Sequence, residues 1–213
     1  MDNVPTIRLM LFGNWFVGKS SLQLRFIFDK FEEETDLTWQ DPYNKTILID
    51  NETIALDILD TYSSEIIQND SYNIRYLKKS DGFVLVYSLD NYFTFCSLES
   101  YIEVINKYKQ MDLNVKIPCA LCGNKRDLNT QLVSQREVIK FAKKWNMSLI
   151  ETSAKQNFCV NECFFHIAKV IKNQKDFATK NMKSWNTIMK EIYDSRKSCL
   201  VTKNNHNKTC FIV

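Results

Sequence analysis

Apolar positions along the chain fall into short runs rich in Ile, Leu, Val and Phe. They lie at Ile7–Phe12, Thr46–Ile49, Thr53–Leu59, Phe83–Tyr87, Ile117–Cys122 and Leu149–Ile150. Runs of this length and composition predict β-strands. Between most of them apolar residues recur three and four apart, at Ser21–Phe28, Thr94–Tyr108, Gln135–Trp145 and Val160–Lys172, which predicts amphipathic helices. Only the polar break Asp50-Asn51-Glu52 separates the second run from the third. That is too short for a helical crossover, so the pair is expected as an antiparallel hairpin. The remaining alternation predicts an α/β fold with a mainly parallel six-stranded sheet and helices on both faces. In such sheets ligands bind outside the carboxyl ends of the strands.

Composition refines this picture without changing it. The chain has 213 residues, 45% apolar and 25% charged, with 4 Gly and 3 Pro, as expected for one soluble domain with an appendage. The domain is expected over residues 1–172 and a basic tail over 173–213. No apolar stretch has the length of a membrane-spanning helix, and the N-terminus, with acidic Asp2, does not read as a secretory signal. A cytosolic protein is expected unless something other than a span holds it to a membrane. The seven cysteines are scattered and odd in number, which does not suggest a disulfide framework. Cys119 and Cys122 have CxxC spacing inside a predicted strand, where residues three apart point to opposite faces; buried core thiols are expected there instead of a metal site.

The net charge of +3 is unevenly placed. Residues 172–213 carry 9 Lys+Arg against 3 Asp+Glu, and the rest of the chain is mildly acidic. A basic tail on an acidic body points to an acidic surface such as a membrane leaflet. Within the tail, Trp185, Ile188, Met189, Ile192 and Tyr193 recur at helical spacing among Lys183, Lys190, Arg196 and Lys197. Two readings stand: a basic amphipathic helix on a membrane or partner, or a continuation of the last domain helix folded back on the body. From Thr202 onward the Asn- and Lys-rich composition reads as flexible.

The chemistry begins at Gly13-Asn14-Trp15-Phe16-Val17-Gly18-Lys19-Ser20, the pattern G-x-x-x-x-G-K-S between a predicted strand and a predicted helix. Backbone amides at a helix N-terminus cradle anionic oxygens, and glycine lets the backbone approach them. Lys19 offers a cation to terminal phosphates, and the Ser20 hydroxyl can ligate Mg²⁺. The loop predicts a nucleoside triphosphate without naming the base. Asn124-Lys125-Arg126-Asp127 and Ser153-Ala154-Lys155, each following a predicted strand, address that. A carboxylate accepts two hydrogen bonds from the N–H groups of guanine, a donor pair adenine lacks, and the wrong base leaves buried polar groups unpaired. These segments disfavour a metabolic P-loop kinase or ATPase.

The phosphate loop, Asp57-Ile58-Leu59-Asp60-Thr61, Asn-Lys-x-Asp and Glu151-Thr152-Ser153-Ala154-Lys155 occur in the order and spacing of Ras-like small GTPases. The chain resembles that family over roughly Thr6–Lys172. The absence of Trp before Asp60 is more similar to the Ras branch than to the Rab branch, and 25 residues between Asp127 and Ser153 leave no room for a Rho-type insertion. The resemblance implies a P-loop NTPase fold, GTP and GDP as ligands, and Mg²⁺ as cofactor. It implies nucleotide contacts from Gly13 through Ser21. Asp127 would read guanine, Asn124 would brace its loop and Lys125 would pack over the base. Ala154 would offer its N–H to the guanine carbonyl, with Ser153 and Lys155 shaping the turn and Phe31 covering the base. Ser20, Thr38 and Asp60 would hold Mg²⁺, Thr38 also sensing the terminal phosphate. Trp39-Gln40-Asp41-Pro42-Tyr43 looks like the effector segment of switch I; such partners commonly add a strand to an exposed sheet edge. Effectors, an exchange factor and an activating protein are implied partners. Nucleic acid is not.

Three departures from the family fall on hydrolysis. Trp15 stands where family members usually carry Gly, and an indole there crowds the attacking water and an incoming arginine finger. Ser64 replaces the water-orienting glutamine and cannot reach as far; with Lys19 and Thr38 it occupies the catalytic positions. Ser63 replaces a glycine whose N–H meets the terminal phosphate, and serine tolerates fewer backbone conformations. GTP binding with slow, poorly stimulated hydrolysis is therefore expected, unless a residue such as Glu65 orients the water. The alternative is a GTP-bound interaction module with negligible turnover. Finally, Cys210-Phe211-Ile212-Val213 matches the C-a-a-X prenylation pattern. One lipid anchors only marginally, so a second signal is expected from Arg196, Lys197, Lys203 and Lys208 or from palmitoylation of Cys199. The expected location is the cytoplasmic face of a membrane, the plasma membrane first.

Overall fold

The computed structural model describes residues 4–32, 42–61, 71–109 and 117–180, with side chains to residue 176. Six strands, β1 (Thr6–Phe12), β2 (Tyr43–Ile49), β3 (Glu52–Asp60), β4 (Gly82–Ser88), β5 (Cys119–Asn124) and β6 (Ser148–Glu151), form one sheet in the order β2-β3-β1-β4-β5-β6. β2 and β3 pair antiparallel, Tyr43 opposite Ile58 and Ile49 opposite Glu52, and every other neighbouring pair is parallel. The predicted hairpin and parallel sheet are both present. The described helices are α1 (Lys19–Phe28), α2 (Ser71–Lys79), α3 (Tyr92–Cys96), α4 (Leu98–Lys109), α5 (Gln135–Trp145) and α6 (Val160–Lys180).

Strand alternation sends successive side chains to two separate cores. Leu9 and Leu11 of β1, with Val84, Val86, Ala120 and Cys122, pack under α1 and α6, where Phe26 stacks on Phe164 at 4.3 Å between ring centroids. Met10 and Phe12, with Phe83, Leu85, Tyr87 and Leu121, pack under α2, α4 and α5 through Leu77, Tyr101 and Val138. Both faces of β4 are covered, so all its residues are buried. Burial at roughly 25 cal/mol per Å² of apolar surface is what holds the site-bearing loops at one edge. Cys119 and Cys122 belong to opposite cores, as strand periodicity requires. Desolvation pushes the Cys119 thiol up to about 12, away from the thiolate a metal needs.

Several boundaries differ from expectation for local reasons. The single predicted helix Thr94–Tyr108 is two, because Ser97 donates its hydroxyl back to the carbonyls of Phe93 and Thr94 and breaks the run. β5 starts at Cys119 and not Ile117, since Pro118 has no N–H for the ladder; its carbonyl accepts from the Phe83 N–H instead. β2 starts at Tyr43, three residues early, because polar Asn44 and Lys45 still pair with β3. α2 was not expected: it is only nine residues long, polar on average, and buries just Asn73 and Leu77, too short a segment to stand out. α6 continues beyond Lys172 to Lys180. The stripe Trp185–Tyr193 lies outside the described residues. No described helix is long and apolar enough to cross a membrane.

Candidate nucleotide site

The loop from Gly13 to Gly18 joins β1 to α1 at the carboxyl edge of the sheet. Its two glycines are demanded by space as well as by torsion. Gly13 has φ 150°, and a Cβ there would lie 2.2 Å from the Val86 carbonyl oxygen; Gly18 has φ 91°, and a Cβ would lie 2.3 Å from Asn124 Nδ2. Gly18 caps α1 and, having no side chain, supplies no side-chain acceptor to the first amides of the helix. Phe16 adopts left-handed backbone at φ 61°, which costs an L side chain energy, and its ring is 82% exposed. Trp15 is 40% exposed.

Lys19 is buried, and its Nζ donates to the carbonyls of Gly13 and Asn14, both at 3.0 Å, closing the loop around the ammonium. Burial lowers its pKa, with Asp60 pulling the other way. Ser20 donates its hydroxyl to Asp60 Oδ2 at 2.5 Å. Burial holds the Asp60 carboxyl above the usual carboxylate range, opposed by Lys19 and by hydrogen bonds from Ser20 and Thr61. Its other oxygen, Oδ1, is buried with no hydrogen-bond partner among the described residues. A buried orphan carboxylate oxygen beside a serine hydroxyl is a hard-oxygen donor set, and it fits Mg²⁺. Thr61 donates to the Leu11 carbonyl at 2.5 Å, fixing the chain that leaves β3.

A second cluster lies at the ends of β5 and β6. Asn124 donates from Nδ2 to the Val17 carbonyl at 2.9 Å, and its Oδ1 accepts from the Thr152 hydroxyl at 3.2 Å and the Ala154 N–H at 3.3 Å. One side chain thus links the phosphate loop to both base-side segments. Ser153 donates its hydroxyl to Asp127 Oδ1 at 2.6 Å, and the Gln156 N–H donates to Ser153 Oγ at 3.0 Å. Arg126 pairs with Glu151 at 3.0 Å and lies over the Phe158 ring at 4.8 Å. Lys125 takes left-handed backbone at φ 66° beside them, and Lys155 is exposed. Phe31 packs partly buried against the α1–α6 core.

The described ones among the expected residues therefore fall into two connected groups, one around Lys19, Ser20 and Asp60 and one around Asn124, Asp127 and Ala154. A family model for the Ras family matches residues 8–173. The chain belongs to the Ras family. Ras-like protein 1 of Saccharomyces cerevisiae is 35% identical over 211 residues, 97% of this chain. The chain spans 66% of that protein's length.

In this Ras-family chain, Ser21 sits in the first turn of α1, and Pro42 leads into β2, which begins at Tyr43 and has a neighbour on one side only among the described strands. Thr38, Trp39, Gln40, Asp41, Ser63, Ser64, Glu65, Cys199 and Cys210 lie outside the described residues. Two contributors escape a reading by motif. Tyr101 of α4 is buried and donates its hydroxyl to Asn14 Oδ1 at 2.8 Å, a core residue reaching into the phosphate loop. Arg25, one turn before the end of α1, donates to the Ala154 carbonyl at 2.9 Å. Neither has a local signal: Tyr101 reads as an apolar-stripe residue and Arg25 as surface charge.

Proposed function

We propose that this protein binds guanine nucleotides with Mg²⁺ and acts as a GTP/GDP switch on the cytoplasmic face of a membrane, with slow hydrolysis. The observation that carries the reading is Asn124, which joins the phosphate loop at Val17 to the base-side residues Thr152 and Ala154. Loop amides and Lys19 would bind the phosphates, Asp127 and the Ala154 N–H would read guanine, and Phe31 and Lys125 would flank the ring. Ser20 and Asp60, with Thr38, would hold Mg²⁺, which neutralises charge on the phosphate oxygens when bound. In the reaction a water attacks the terminal phosphorus, the bond to the bridging oxygen breaks, and GDP and phosphate leave. The chain's own part is to place that water and stabilise charge, and here Trp15, Ser63 and Ser64 depart from what that requires. Effectors would engage Trp39–Tyr43 and the open edge of β2.

Mass analysis of nucleotide extracted from freshly purified protein tests the reading. Mostly GTP is the expected result. Mostly GDP would show efficient turnover and remove the slow-hydrolysis part, and adenine nucleotide would remove the guanine reading.

Membrane attachment rests on Cys210-Phe211-Ile212-Val213 together with the basic tail. A single lipid chain anchors a protein only marginally, a myristoyl group binding membranes with an association constant of about 10⁴ M⁻¹, so Arg196, Lys197, Lys203 and Lys208 would supply the second signal. Cys210→Ser is expected to move most of the protein from the membrane pellet to the supernatant on fractionation. An unchanged pellet fraction would count against a lipid at this cysteine.

A further inference from the structure

Arg25 has a side chain only 14% exposed, and it is spent on backbone carbonyls of another segment. Nε donates to the Ala154 carbonyl at 2.9 Å, and Nη2 reaches the Lys155 carbonyl at 3.4 Å. Nη1 donates to the Asp29 carbonyl at 2.7 Å and to its carboxylate at 3.3 Å. Asp29 ends α1 in left-handed backbone at φ 56°, and Asn157 Nδ2 donates to its Oδ1 at 2.8 Å. The guanidinium therefore ties three pieces together: the end of α1, the base-side turn after Ser153, and the start of the segment that runs through Phe31 toward Thr38.

We propose that Arg25 is a positioning residue that sets the rate of nucleotide release, by holding the Ala154–Lys155 turn against the base. The inference rests on reading this site as a guanine-nucleotide pocket. The turn is short, closed by paired backbone hydrogen bonds between Ser153 and Phe158. On its inner side Asn124 accepts from the Ala154 N–H and Asp127 accepts from Ser153. On its outer side the carbonyls of Ala154 and Lys155 are held by Arg25. The inner contacts are the ones a base competes for, since the Ala154 N–H must turn from Asn124 toward the guanine carbonyl. Arg25 leaves that N–H free to turn while fixing the peptide that follows it. The Asp29 carboxylate is 77% exposed, so its ion pair is screened and the carbonyl contacts do the holding. A planar fork with five N–H donors spans several carbonyls at once, and a lysine ammonium cannot match that geometry.

The test uses the full-length protein loaded with a fluorescent GDP derivative and chased with excess GDP in Mg²⁺ buffer. Arg25→Met keeps the buried stem and removes the donors; it is expected to release nucleotide roughly tenfold faster. Arg25→Lys keeps charge and stem and is expected to fall between Met and the parent. Base analogues separate positioning from general loosening. 6-Thio-GDP alters the atom the Ala154 N–H would meet, and inosine diphosphate lacks the amino group Asp127 would meet. In Arg25→Met the preference for GDP over 6-thio-GDP should narrow while the preference over inosine diphosphate stays. Release within twofold of the parent, or equal narrowing of both preferences, overturns the proposal. If the parent takes up no fluorescent GDP at all, the pocket reading falls, and the role of Arg25 with it.

Discussion

Asp127→Asn is expected to exchange the protein's preference for guanine nucleotides for a preference for xanthine nucleotides. Guanine presents two donors, the ring N–H and the amino group, and a carboxylate accepts from both. Xanthine keeps the ring N–H but carries a carbonyl in place of the amino group. An asparagine amide offers one acceptor and one donor, so it pairs with xanthine and opposes the guanine amino group. Sites built around such hydrogen bonds discriminate by roughly 10⁴–10⁵, and most of that factor should move from one base to the other. The fold should tolerate the change, because the introduced amide keeps an oxygen that can accept from the Ser153 hydroxyl, now 2.6 Å from Asp127 Oδ1. Competition binding of GDP against xanthosine diphosphate measures the exchange. A variant that still prefers GDP would mean that Asp127 does not read the base.

The second large effect is expected in hydrolysis. Trp15→Gly combined with Ser64→Gln should raise single-turnover GTP hydrolysis, most strongly with a Ras-type activating protein present. In Ras-type enzymes the inserted arginine and its partners are worth roughly 10³–10⁵ in rate, and the indole and the short serine would withhold most of that from the parent. Each single change should recover little, since a water that is oriented but crowded, or uncrowded but unoriented, is still misplaced. Binding should survive. The loop is held from inside by Lys19 on the carbonyls of Gly13 and Asn14, and from the core by Tyr101 on Asn14, so removing the Trp15 side chain leaves the backbone anchored. Strong stimulation of the unmodified protein would show that another residue, Glu65 foremost, orients the water.

The parallel sheet, the hairpin and the two motif groups were legible because each is written in contiguous residues. Strand alternation sorts Leu9 and Leu11 from Met10 and Phe12 without any knowledge of what covers them. Two glycines around four intervening residues state a torsional demand that Gly13 and Gly18 meet. α2 was illegible because it is only nine residues long and strongly polar, with Leu77 its one fully buried apolar side chain. The break at Ser97 was illegible because a serine hydroxyl competing with the helix ladder looks like any surface serine.

The phosphate loop between β1 and α1 thus followed from sequence alone, as did the residue types gathered at the ends of β5 and β6. Those are matters of which chemical groups a short segment carries. Tertiary structure alone decided how the groups are held: Tyr101 on Asn14 across 87 positions, Asn124 on Val17 across 107, and Arg25 on Ala154 across 129. The physical reason is that a hydrogen bond needs its partners within about 3.5 Å and aligned, a condition set by the packing of helices on the sheet. No pattern along the chain records which arginine of α1 will end beside which carbonyl.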